Sequence, residues 1–264
     1  MDLPDFMTIL ARNAGDFAEE AYSHLQNGQF ESKATEKDIV TAADRLTEEF
    51  IIQRIRRDYP DHNIFGEEHG AQNNSASPYL WVIDPIDGTT NYAAGSPRYC
   101  VSIGLMKNDE FVAGAIYSPR TCELFAAEKG SGATLNGEKI APSRKTELIQ
   151  CIGTTGFACL RANLKKNNLE MFCHIAPLLR DIHRTGSAAL DLCDIACGRG
   201  DFFWEYPLGL YDVAAGIVIV REAGGLVSDF DNGNAMPQRG VIASCTPQIH
   251  EQVRALVLQH DYRK

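Results

Sequence analysis

The sequence predicts a mixed protein of the α+β and α/β classes. An antiparallel sheet is expected in a first lobe, residues 1–145, and alternating strands and helices in a second lobe, residues 146–264. The spacing of apolar residues is helical near the amino terminus, strand-like in the middle, and strand–helix–strand towards the carboxyl end. With 264 residues and 44% hydrophobic composition, the chain can bury a large core. No repeat or linker separates the lobes, so we expect one compact unit.

The overall charge argues against nucleic-acid and membrane partners. The chain has 25 Lys and Arg against 35 Asp and Glu, a formal net charge of -10, and it contains no basic block. Its 8 cysteines are scattered through apolar segments, which is typical of free thiols in a reducing cytosol. The first residues lack the pattern of a signal peptide, and no apolar run is long enough to span a bilayer. We therefore expect a soluble, cytoplasmic protein.

Two helices and a sheet are predicted in the first lobe. Residues 4–26 and 41–57 each place their apolar side chains on one helical face, and the residues between them lack periodicity and predict a loop. The strands are predicted at residues 63–68, 79–83, 99–106, 110–117, 124–127 and 133–140. A polar loop is expected at residues 70–78. Asn136-Gly137 predicts a type I′ turn between two strands of a hairpin.

Strands and helices alternate in the second lobe. The strands are predicted at residues 148–155, 201–205, 226–230 and 241–244. The helices are predicted at residues 167–179, 186–198, 212–222 and 246–259. Gly224-Gly225 ends the third of these helices, and residues 231–233 form a turn. Such alternation predicts a largely buried sheet.

Four carboxylates follow predicted elements at points where side chains can meet in a cleft. Glu67 ends one strand, Asp84 ends the next, Asp87 lies in the turn after it, and Asp212 begins a helix. Four negative charges at close range repel one another unless cations lie among them, and two divalent ions would balance their charge. Every candidate ligand is an oxygen, including the carbonyl of Ile86. The donor set therefore favours Mg²⁺ over zinc or copper.

Most of these carboxylates also have a purely structural interpretation. Asp212 fits a helix N-cap. Asp84 before Pro85 fits an ordinary turn. Glu67 and Glu68 fit solvated charges at the end of a strand. For any one of these residues taken alone, the structural interpretation is the stronger one.

A further carboxylate, Asp44, has the strongest structural alternative. Thr41-x-x-Asp44 resembles a capping box, which would use this carboxylate at the start of the second helix. What favours function is the run of residues 84–90, D-P-I-D-G-T-T, because it is too detailed for a chance turn. An aspartyl-phosphate mechanism would need D-x-D, whereas two residues separate Asp84 from Asp87.

Three blocks of the sequence resemble the signature of the inositol monophosphatase family. They are Gly66-Glu67-Glu68, residues 81–91 with the sequence W-V-I-D-P-I-D-G-T-T-N, and residues 211–216 with the sequence Y-D-V-A-A-G. Residues 184–189, R-T-G-S-A-A, and Trp204-Glu205 add two further matches in the family's order. The resemblance extends from about residue 38 to residue 244. It implies a layered α-β-α-β-α sandwich like that of sugar phosphatases.

The resemblance implies a metal-dependent phosphatase that uses two or three Mg²⁺ ions. Glu67, Asp84 and the Ile86 carbonyl would hold one ion, and Asp84, Asp87 and Asp212 would hold a second. In such sites one ion lowers the pKa of a bound water, and a second, roughly 4 Å away, stabilises the leaving oxygen. No protein nucleophile is then needed.

The resemblance also implies the groups that handle water and phosphate. The hydroxyl of Thr89, paired with Asp44, would orient the attacking water, with Glu68 nearby. The backbone amides of Gly88, Thr89 and Thr90 would bind the phosphate, at a turn that leads into a helix. This use of Asp44 competes with its capping-box interpretation.

The alcohol part of the substrate would be lined by residues of both lobes. The resemblance assigns this role to Asp87, Ser187, Ala188, Glu205 and Asp212. Among them, Glu205 would bind a hydroxyl group of a sugar or of inositol.

Two positions depart from the family pattern near this lining. His183 replaces an arginine, and if that arginine steadies the substrate-side carboxylates, a histidine would do so more weakly and with pH dependence. Tyr211 replaces a tryptophan, which keeps an aromatic ring but loses the indole N–H. Neither position is a metal ligand.

Hypotheses from two functional classes remain after these steps. The first is a lithium-sensitive phosphomonoesterase, commonly a homodimer in this family, that acts on inositol monophosphate or a related sugar or polyol phosphate. Within the same family, histidinol phosphate, fructose bisphosphate and a nucleotide 3′-phosphate remain open as substrates. From another class, a weakly catalytic regulatory or binding protein is disfavoured, because every expected metal ligand is present.

Overall fold

The structure, a computed structural model, describes residues 2–26, 36–72, 77–161, 164–165, 167–233 and 240–259. Its first sheet has eight strands, whose bounds are β1 Asn63–Gly66, β2 Gly70–Gln72, β3 Tyr79–Asp87, β4 Cys100–Lys107, β5 Glu110–Ser118, β6 Glu123–Glu128, β7 Gly132–Leu135 and β8 Glu138–Lys139. They lie in the order β2-β1-β3-β4-β5-β6-β7-β8. The second sheet has five strands, β9 Ile152–Thr155, β10 Asp181–His183, β11 Phe202–Glu205, β12 Leu226–Asp229 and β13 Val241–Ser244, in the order β10-β9-β11-β13-β12.

The helices form three layers around these two sheets. Their bounds are α1 Leu3–Gln26, α2 Glu36–Asp58, α3 Thr89–Ala93, α4 Ala158–Arg161, α5 Leu169–Ile175, α6 Ala188–Ala196, α7 Leu210–Ala223 and α8 Pro247–Val257. One core joins α1 and α2 to the outer face of the first sheet, and another joins α6 and α7 to both sheets. A third joins α5 and α8 to the outer face of the second sheet. The predicted α-β-α-β-α layering is confirmed.

The first sheet is antiparallel, as predicted, except at one pair of strands. β1 runs parallel to β3 and pairs Gly66 with Ile83, whereas the other neighbouring strands are antiparallel. The prediction of a loop over residues 70–78 is wrong at its start, because Gly70–Gln72 forms β2 against β1. The hairpin turn at Asn136-Gly137 is confirmed, with φ angles of 51° and 86° that type I′ requires.

Strand β3 continues beyond the predicted turn at Asp84-Pro85 and ends at Asp87. Asp84 pairs with Ser102 of β4, and Asp87 pairs with Cys100, so β3 contains one extra residue between the two pairs. This is a β-bulge, where proline is tolerated because the ladder bond is already interrupted. Residues three apart on a regular strand face opposite sides, but the bulge brings both carboxylates to the same side.

Other bounds also differ from the sequence predictions. α2 begins at Glu36, so Thr41 lies inside the helix and the predicted capping box with Asp44 is wrong. Leu148–Gln150 forms a 3₁₀ turn before β9, instead of the first part of a strand. β10 was not predicted at all. It is a short edge strand that depends on parallel pairing with β9.

Glycines allow α7 to lie very close to the first sheet. A Cβ atom on Gly104 of β4 would lie 2.7 Å from the Cβ of Ala214, and one on Gly114 of β5 would lie 2.6 Å from the carbonyl oxygen of Ala215. Real Cβ atoms do not approach this closely. The close packing brings the start of α7, with Asp212, to the level of the bulge in β3. Among the described residues, no helix has the length and hydropathy needed to cross a membrane.

Candidate metal centre and substrate pocket

Three predicted ligands meet where the bulge of β3 faces the start of α7. One carboxylate oxygen from each of Asp84, Asp87 and Asp212 lies within 4.8 Å of the other two. The two residues from β3 are buried, and Asp212 is half-buried. The fold therefore collects these three carboxylates from both sequence lobes, as the motif analysis predicted.

Asp84 is the most enclosed of the three. Its side chain is buried, and its Oδ1 accepts a hydrogen bond from the backbone N–H of Ile86 at 3.1 Å. Burial, followed by the negative charges of Glu67, Asp87 and Asp212, raises the pKa of this carboxyl well above its usual value. Its ionised form is therefore strongly destabilised unless a positive charge is nearby.

Glu67 joins this cluster from the end of β1. Its backbone N–H donates to the carbonyl of Ile83 at 3.2 Å, which fixes the residue beside Asp84. The residue is exposed overall, but its carboxyl is close enough to that of Asp84 to interact with it. Partial desolvation and the charges of Asp87 and Glu68 raise the pKa of Glu67 to about 7, although the interaction with the Asp84 carboxyl opposes this shift.

Asp87 links the first sheet to helix α6. Its Oδ2 accepts hydrogen bonds from the Ser187 hydroxyl at 2.5 Å and from the Ala189 N–H at 2.8 Å. Ser187 is the N-cap of α6 and also accepts from the N–H of Leu190 at 3.2 Å. Burial raises the pKa of Asp87 despite these hydrogen bonds. Because Oδ2 is engaged in this way, Oδ1 is the oxygen left for another ligand.

Asp212 lies in the first turn of α7 and also stabilises the start of that helix. The helix begins at Leu210 after Gly209, and the carboxylate of Asp212 accepts from the Gly209 N–H at 2.5 Å. The N-cap interpretation of Asp212 is thus wrong, because Gly209 is the N-cap residue. Asp212 nevertheless stabilises the start of the helix by accepting a hydrogen bond from the N-cap N–H. Burial and the charge of Asp87 raise the pKa of Asp212 well above its usual value.

The carboxylates form a donor set that fits hard divalent cations. Burial raises the pKa of all four acidic side chains, and negative charges nearby add to the rise for Glu67, Asp84 and Asp212; Mg²⁺ among them would offset both effects. The carbonyl of Ile86 lies in the same bulge and accepts from the Thr89 hydroxyl at 3.3 Å. In addition, Oδ1 of Asp44 is buried without a hydrogen-bond partner among the described residues. An orphaned acceptor of this kind fits a site made for a ligand.

The Thr89 hydroxyl and Asp44 do not form the predicted pair in this structure, whereas Glu68 is near enough for its charge to act on Asp44. The Thr89 hydroxyl donates to Ile86 and makes no hydrogen bond to Asp44 in the described part of the chain. Burial, together with the charges of Glu67 and Glu68, raises the pKa of Asp44 to about 8. Glu68 forms an ion pair with Arg45, with 3.2 Å between Oε2 and Nε.

The turn between β3 and α3 requires glycine at position 88. Gly88 has a φ of 92°, and a Cβ atom there would lie 2.9 Å from the carbonyl oxygen of Arg98. This conformation begins α3, so the amides of Thr89 and Thr90 lie in its first turn. The amides that the sequence analysis assigned to phosphate binding therefore belong to one short backbone segment.

A pocket opens beside the carboxylates and extends to the second sheet. Its lining consists of Asp87, Thr155, Gly156, Ala158, Arg184, Gly186, Ser187, Ala188, Asp191, Glu205, Leu208 and Asp212. Every residue predicted for the alcohol side except His183 is in this lining. Glu205 is 5% exposed and accepts from the N–H of Ala158 at 3.3 Å. A Cβ on Gly156 would lie 2.1 Å from Oε2 of Glu205, so glycine is needed where the chain passes this carboxylate.

A family comparison supports these geometric findings. The model of the family described as "Inositol monophosphatase family" matches residues 4–262. The chain belongs to the inositol monophosphatase family. The family is metal-dependent and acts on small phosphorylated substrates, and membership makes this chain a phosphoric monoester hydrolase.

Relatives with curated names carry different descriptions. An "Inositol-1-monophosphatase" of Synechocystis sp. is 44% identical over 225 residues, which cover 85% of this chain and 78% of that protein. A "Nus factor SuhB" of Pasteurella multocida is 40% identical over 92% of this chain and 91% of its own length. The shared family is therefore clear, whereas the names leave the substrate open.

Solved structures of the family have the same fold. An inositol monophosphatase from Anabaena has a TM-score of 0.86 and 38% identity, covering 97% of this chain and 95% of that one. An "IMPase" from Thermotoga maritima has a TM-score of 0.83 and 35% identity, covering 98% of each chain.

One predicted site residue of this inositol monophosphatase homologue lies away from the pocket. His183 is on the edge strand β10, its side chain is 50% exposed, and its Nε2 lies 3.6 Å from a carboxylate oxygen of Asp181. The neighbouring Arg184 lines the pocket instead, close enough that a Cβ on Gly186 would meet its Nη1 at 2.9 Å. The alternation of side chains along this segment explains why adjacent residues face different environments.

Sequence reasoning also missed Asp191. It is buried on α6, lines the pocket, and accepts from the Thr185 hydroxyl at 2.5 Å and from Arg98 at 3.4 Å. A signal was available, since Asp191 follows the run of residues 184–189 by two positions. An acidic side chain on the buried face of an apolar helix needs hydrogen-bonding or charged partners, because burial of an unpaired charge is unfavourable.

Proposed function

We propose that this protein hydrolyses a small phosphomonoester with the help of Mg²⁺, and that inositol monophosphate or a related sugar or polyol phosphate is its substrate. The observation that carries the proposal is the cluster of three aspartate oxygens within 4.8 Å of one another, next to the Glu67 carboxyl and open to the pocket. Without a cation, the mutual repulsion of these buried carboxylates destabilises the folded chain.

Two cation sites share the bulge of β3. Glu67, Asp84 and the Ile86 carbonyl would hold one Mg²⁺, and Asp84, Asp87 and Asp212 would hold another. Bound Mg²⁺ would lower the pKa of a coordinated water and would place positive charge next to the phosphoryl and leaving oxygens. Asp87 is well prepared for this role, because Ser187 and Ala189 fix its Oδ2 and leave Oδ1 as the oxygen for a cation.

Asp44, Thr89 and Glu68 are assigned to the attacking water. Asp44 Oδ1 is a buried acceptor without a partner among the described residues, so it is available to take up a proton. Once released from Ile86, the Thr89 hydroxyl would donate its proton to Asp44 and accept one from the attacking water. Glu68 is held near the cluster by Arg45.

Phosphate and alcohol are assigned to different groups of residues. The amides of Gly88, Thr89 and Thr90 are assigned to the phosphate, in keeping with the left-handed turn at Gly88. Glu205 and Ala188 are assigned to the alcohol, and the buried Glu205 carboxylate can accept hydrogen bonds from sugar hydroxyls. We do not assign His183 to substrate binding, because it is exposed and outside the lining.

The test is phosphate release from a panel of substrates at varied Mg²⁺. The panel contains inositol 1-phosphate, a sugar phosphate, histidinol phosphate, fructose bisphosphate and a nucleotide 3′-phosphate, each with and without Li⁺ and after chelation. We expect phosphate release to depend on Mg²⁺ and to be inhibited by Li⁺. Release should be fastest with the phosphate esters of neutral polyols. Absence of release from every member would contradict the proposal. Light scattering after gel filtration tests the expected homodimer.

A second candidate function is suggested by the relatives named "Nus factor SuhB". Under it, this chain would act chiefly as a regulatory or binding protein. The two functions separate in a variant that lacks a metal ligand, because a binding role carried by the outer surface would survive Asp84→Asn whereas hydrolysis would not.

A further inference from the structure

Glu48 is not among the residues assigned to the reaction, yet it is hydrogen-bonded to the turn that carries Glu67. It is on the inner face of α2, and its side chain is 0% exposed. Its Oε2 accepts from the backbone N–H of Glu68 at 2.9 Å. Its Oε1 accepts from the backbone N–H of His69 at 2.8 Å and contacts His69 Nδ1 at 2.8 Å. All these partners belong to the turn that follows β1.

The turn is fixed by three successive backbone amides. The N–H of Glu67 donates to the carbonyl of Ile83 on β3, and those of Glu68 and His69 donate to Glu48 on α2. The first bond fixes the turn beside Asp84, and the other two fix its direction. The Glu67 carboxyl therefore depends on α2 for its position, although no bond joins it to Glu48.

Glycine at position 66 leaves room for this arrangement. A Cβ atom on Gly66 would lie 2.3 Å from Oε1 and 2.4 Å from Cδ of Glu48. The carboxylate thus packs directly against the backbone of the residue before Glu67. A side chain at position 66 would push it away from the two amides that it binds.

We propose that Glu48 is a positioning residue of the metal centre, which holds the turn after β1 so that the Glu67 carboxyl lies against Asp84. The proposal rests on the proposed function, since it takes Glu67 as a metal ligand. Hydrogen bonds to an ionised acceptor are stronger than neutral ones, so a buried carboxylate is well suited to fix a turn. Residues that orient metal ligands commonly change metal affinity by about 10- to 100-fold when replaced.

The first test compares metal binding in Glu48→Gln and Glu49→Gln. Glutamine keeps the shape of Glu48 but turns one acceptor into an N–H group, which would face a backbone N–H. Glu49 is the adjacent, exposed residue of the same helix and, within the described part of the chain, accepts only from the Gln53 side chain at 3.2 Å. Calorimetric titration with Mn²⁺ alone, without substrate, should show about 10-fold weaker binding for Glu48→Gln. Glu49→Gln should match the wild type within about twofold.

A second readout separates positioning from a general loss of structure. In Glu48→Gln the Mg²⁺ concentration for half-maximal phosphate release should rise about 10-fold, while kcat at saturating Mg²⁺ should stay within about threefold of the wild type. A merely structural role would lower the amount of active protein and leave the Mg²⁺ dependence of the remainder unchanged.

The outcomes distinguish this proposal from the proposed function. Unchanged Mn²⁺ affinity in a folded Glu48→Gln, or an equal shift in Glu49→Gln, overturns the positioning role. A wild type that binds Mn²⁺ but releases no phosphate overturns the proposed function alone. If Glu48→Gln does not fold, Gly66→Ala displaces the same carboxylate and should weaken Mn²⁺ binding equally. Hydrogen exchange of the wild type gives a check without variants, because rapid exchange of the Glu68 and His69 amides would overturn the proposal.

Discussion

Asp84 takes part in both proposed cation sites, so the reaction should depend on its charge. Asp84→Asn keeps the shape of the side chain and removes a negative charge from the ligand set. We expect phosphate release to fall by more than about 100-fold at any Mg²⁺ concentration. Steady-state assays with inositol 1-phosphate measure this.

The chain offers a matched control for that change. Asp109 lies exposed in the turn between β4 and β5 with a φ of 62°, a conformation that asparagine tolerates. Asp109→Asn should therefore keep wild-type activity. Near-normal turnover in Asp84→Asn would rule out the assignment of Asp84 as a shared ligand.

Glu205 should matter for the alcohol more than for the chemical step. Glu205→Gln removes an ionised acceptor from the pocket, and a hydrogen bond to a charged group contributes about 1.5–3 kcal/mol. We expect KM for inositol 1-phosphate to rise by roughly 10-fold with little change in kcat. Kinetics with p-nitrophenyl phosphate provide the comparison, because this substrate has no hydroxyl for Glu205 and its KM should not change.

Single residues were predictable from the sequence where they belong to a recognisable motif. Asp84, Asp87, Asp212 and Glu67 were found because carboxylates at element ends have few other uses in such a pattern. Glu48 was missed, since it lies within a helix and its partners are 20 and 21 positions further along the chain. Only the folded chain shows that a buried helical glutamate meets a turn.

At the level of elements, close packing of α7 on the first sheet should be sensitive to one methyl group. Gly114→Ala would place a Cβ 2.6 Å from the carbonyl oxygen of Ala215, which forces α7 away from β5. Overpacking of this kind costs about 1–3 kcal/mol of unfolding free energy. Urea denaturation measures the loss, and an unchanged midpoint would show that the helix can shift without cost.

Helix α8 contributes an acid-sensitive contact. His250 is 3% exposed, with Nε2 2.8 Å from the Ser228 hydroxyl and Nδ1 2.6 Å from the Ser244 hydroxyl. Burial lowers the pKa of His250 below its usual value. Below pH about 6.5 the unfolded chain therefore binds a proton more readily than the folded chain does, and stability falls as the pH is lowered.

Two histidine variants test this contact. Urea denaturation between pH 7.5 and 5 should show a smaller loss of stability on acidification in His250→Gln than in the wild type. His174 is exposed, with its Nδ1 2.9 Å from the carbonyl oxygen of Glu170, so His174→Gln should keep the wild-type pH dependence. Equal slopes in all three proteins would contradict the role of His250.

Elements were predictable where local pattern and tertiary pairing agree. The hairpin at Asn136-Gly137 is such a case, because both residues favour the required left-handed backbone. The end of β3 was not predictable, because Pro85 indicates a turn locally whereas the pairing of β3 with β4 continues beyond it. β10 is also invisible to periodicity, because three residues become a strand only through pairing with β9.

For the whole molecule, metal binding should stabilise both lobes together. The proposed ligands lie just after β1, on β3 and on α7, and α7 packs between the two sheets. At 100 times its dissociation constant, Mg²⁺ should add about 2.7 kcal/mol and raise the Tm by roughly 5 °C in a single transition. Asp212→Asn should lose this rise but keep the contact to Gly209, whereas Asp109→Asn should retain it. Two separate transitions in calorimetry would contradict such coupling.

The bulge of β3 also constrains how this protein can evolve. One residue of extra length brings Asp84 and Asp87 to the same face of the sheet, so an insertion or deletion there would send one carboxylate to the opposite face. The pocket wall that faces the alcohol lies mostly on other segments, around Gly156, Arg184 and Glu205. Selection can therefore alter the alcohol that is accepted by point changes in that wall, while the length of β3 must be inherited intact.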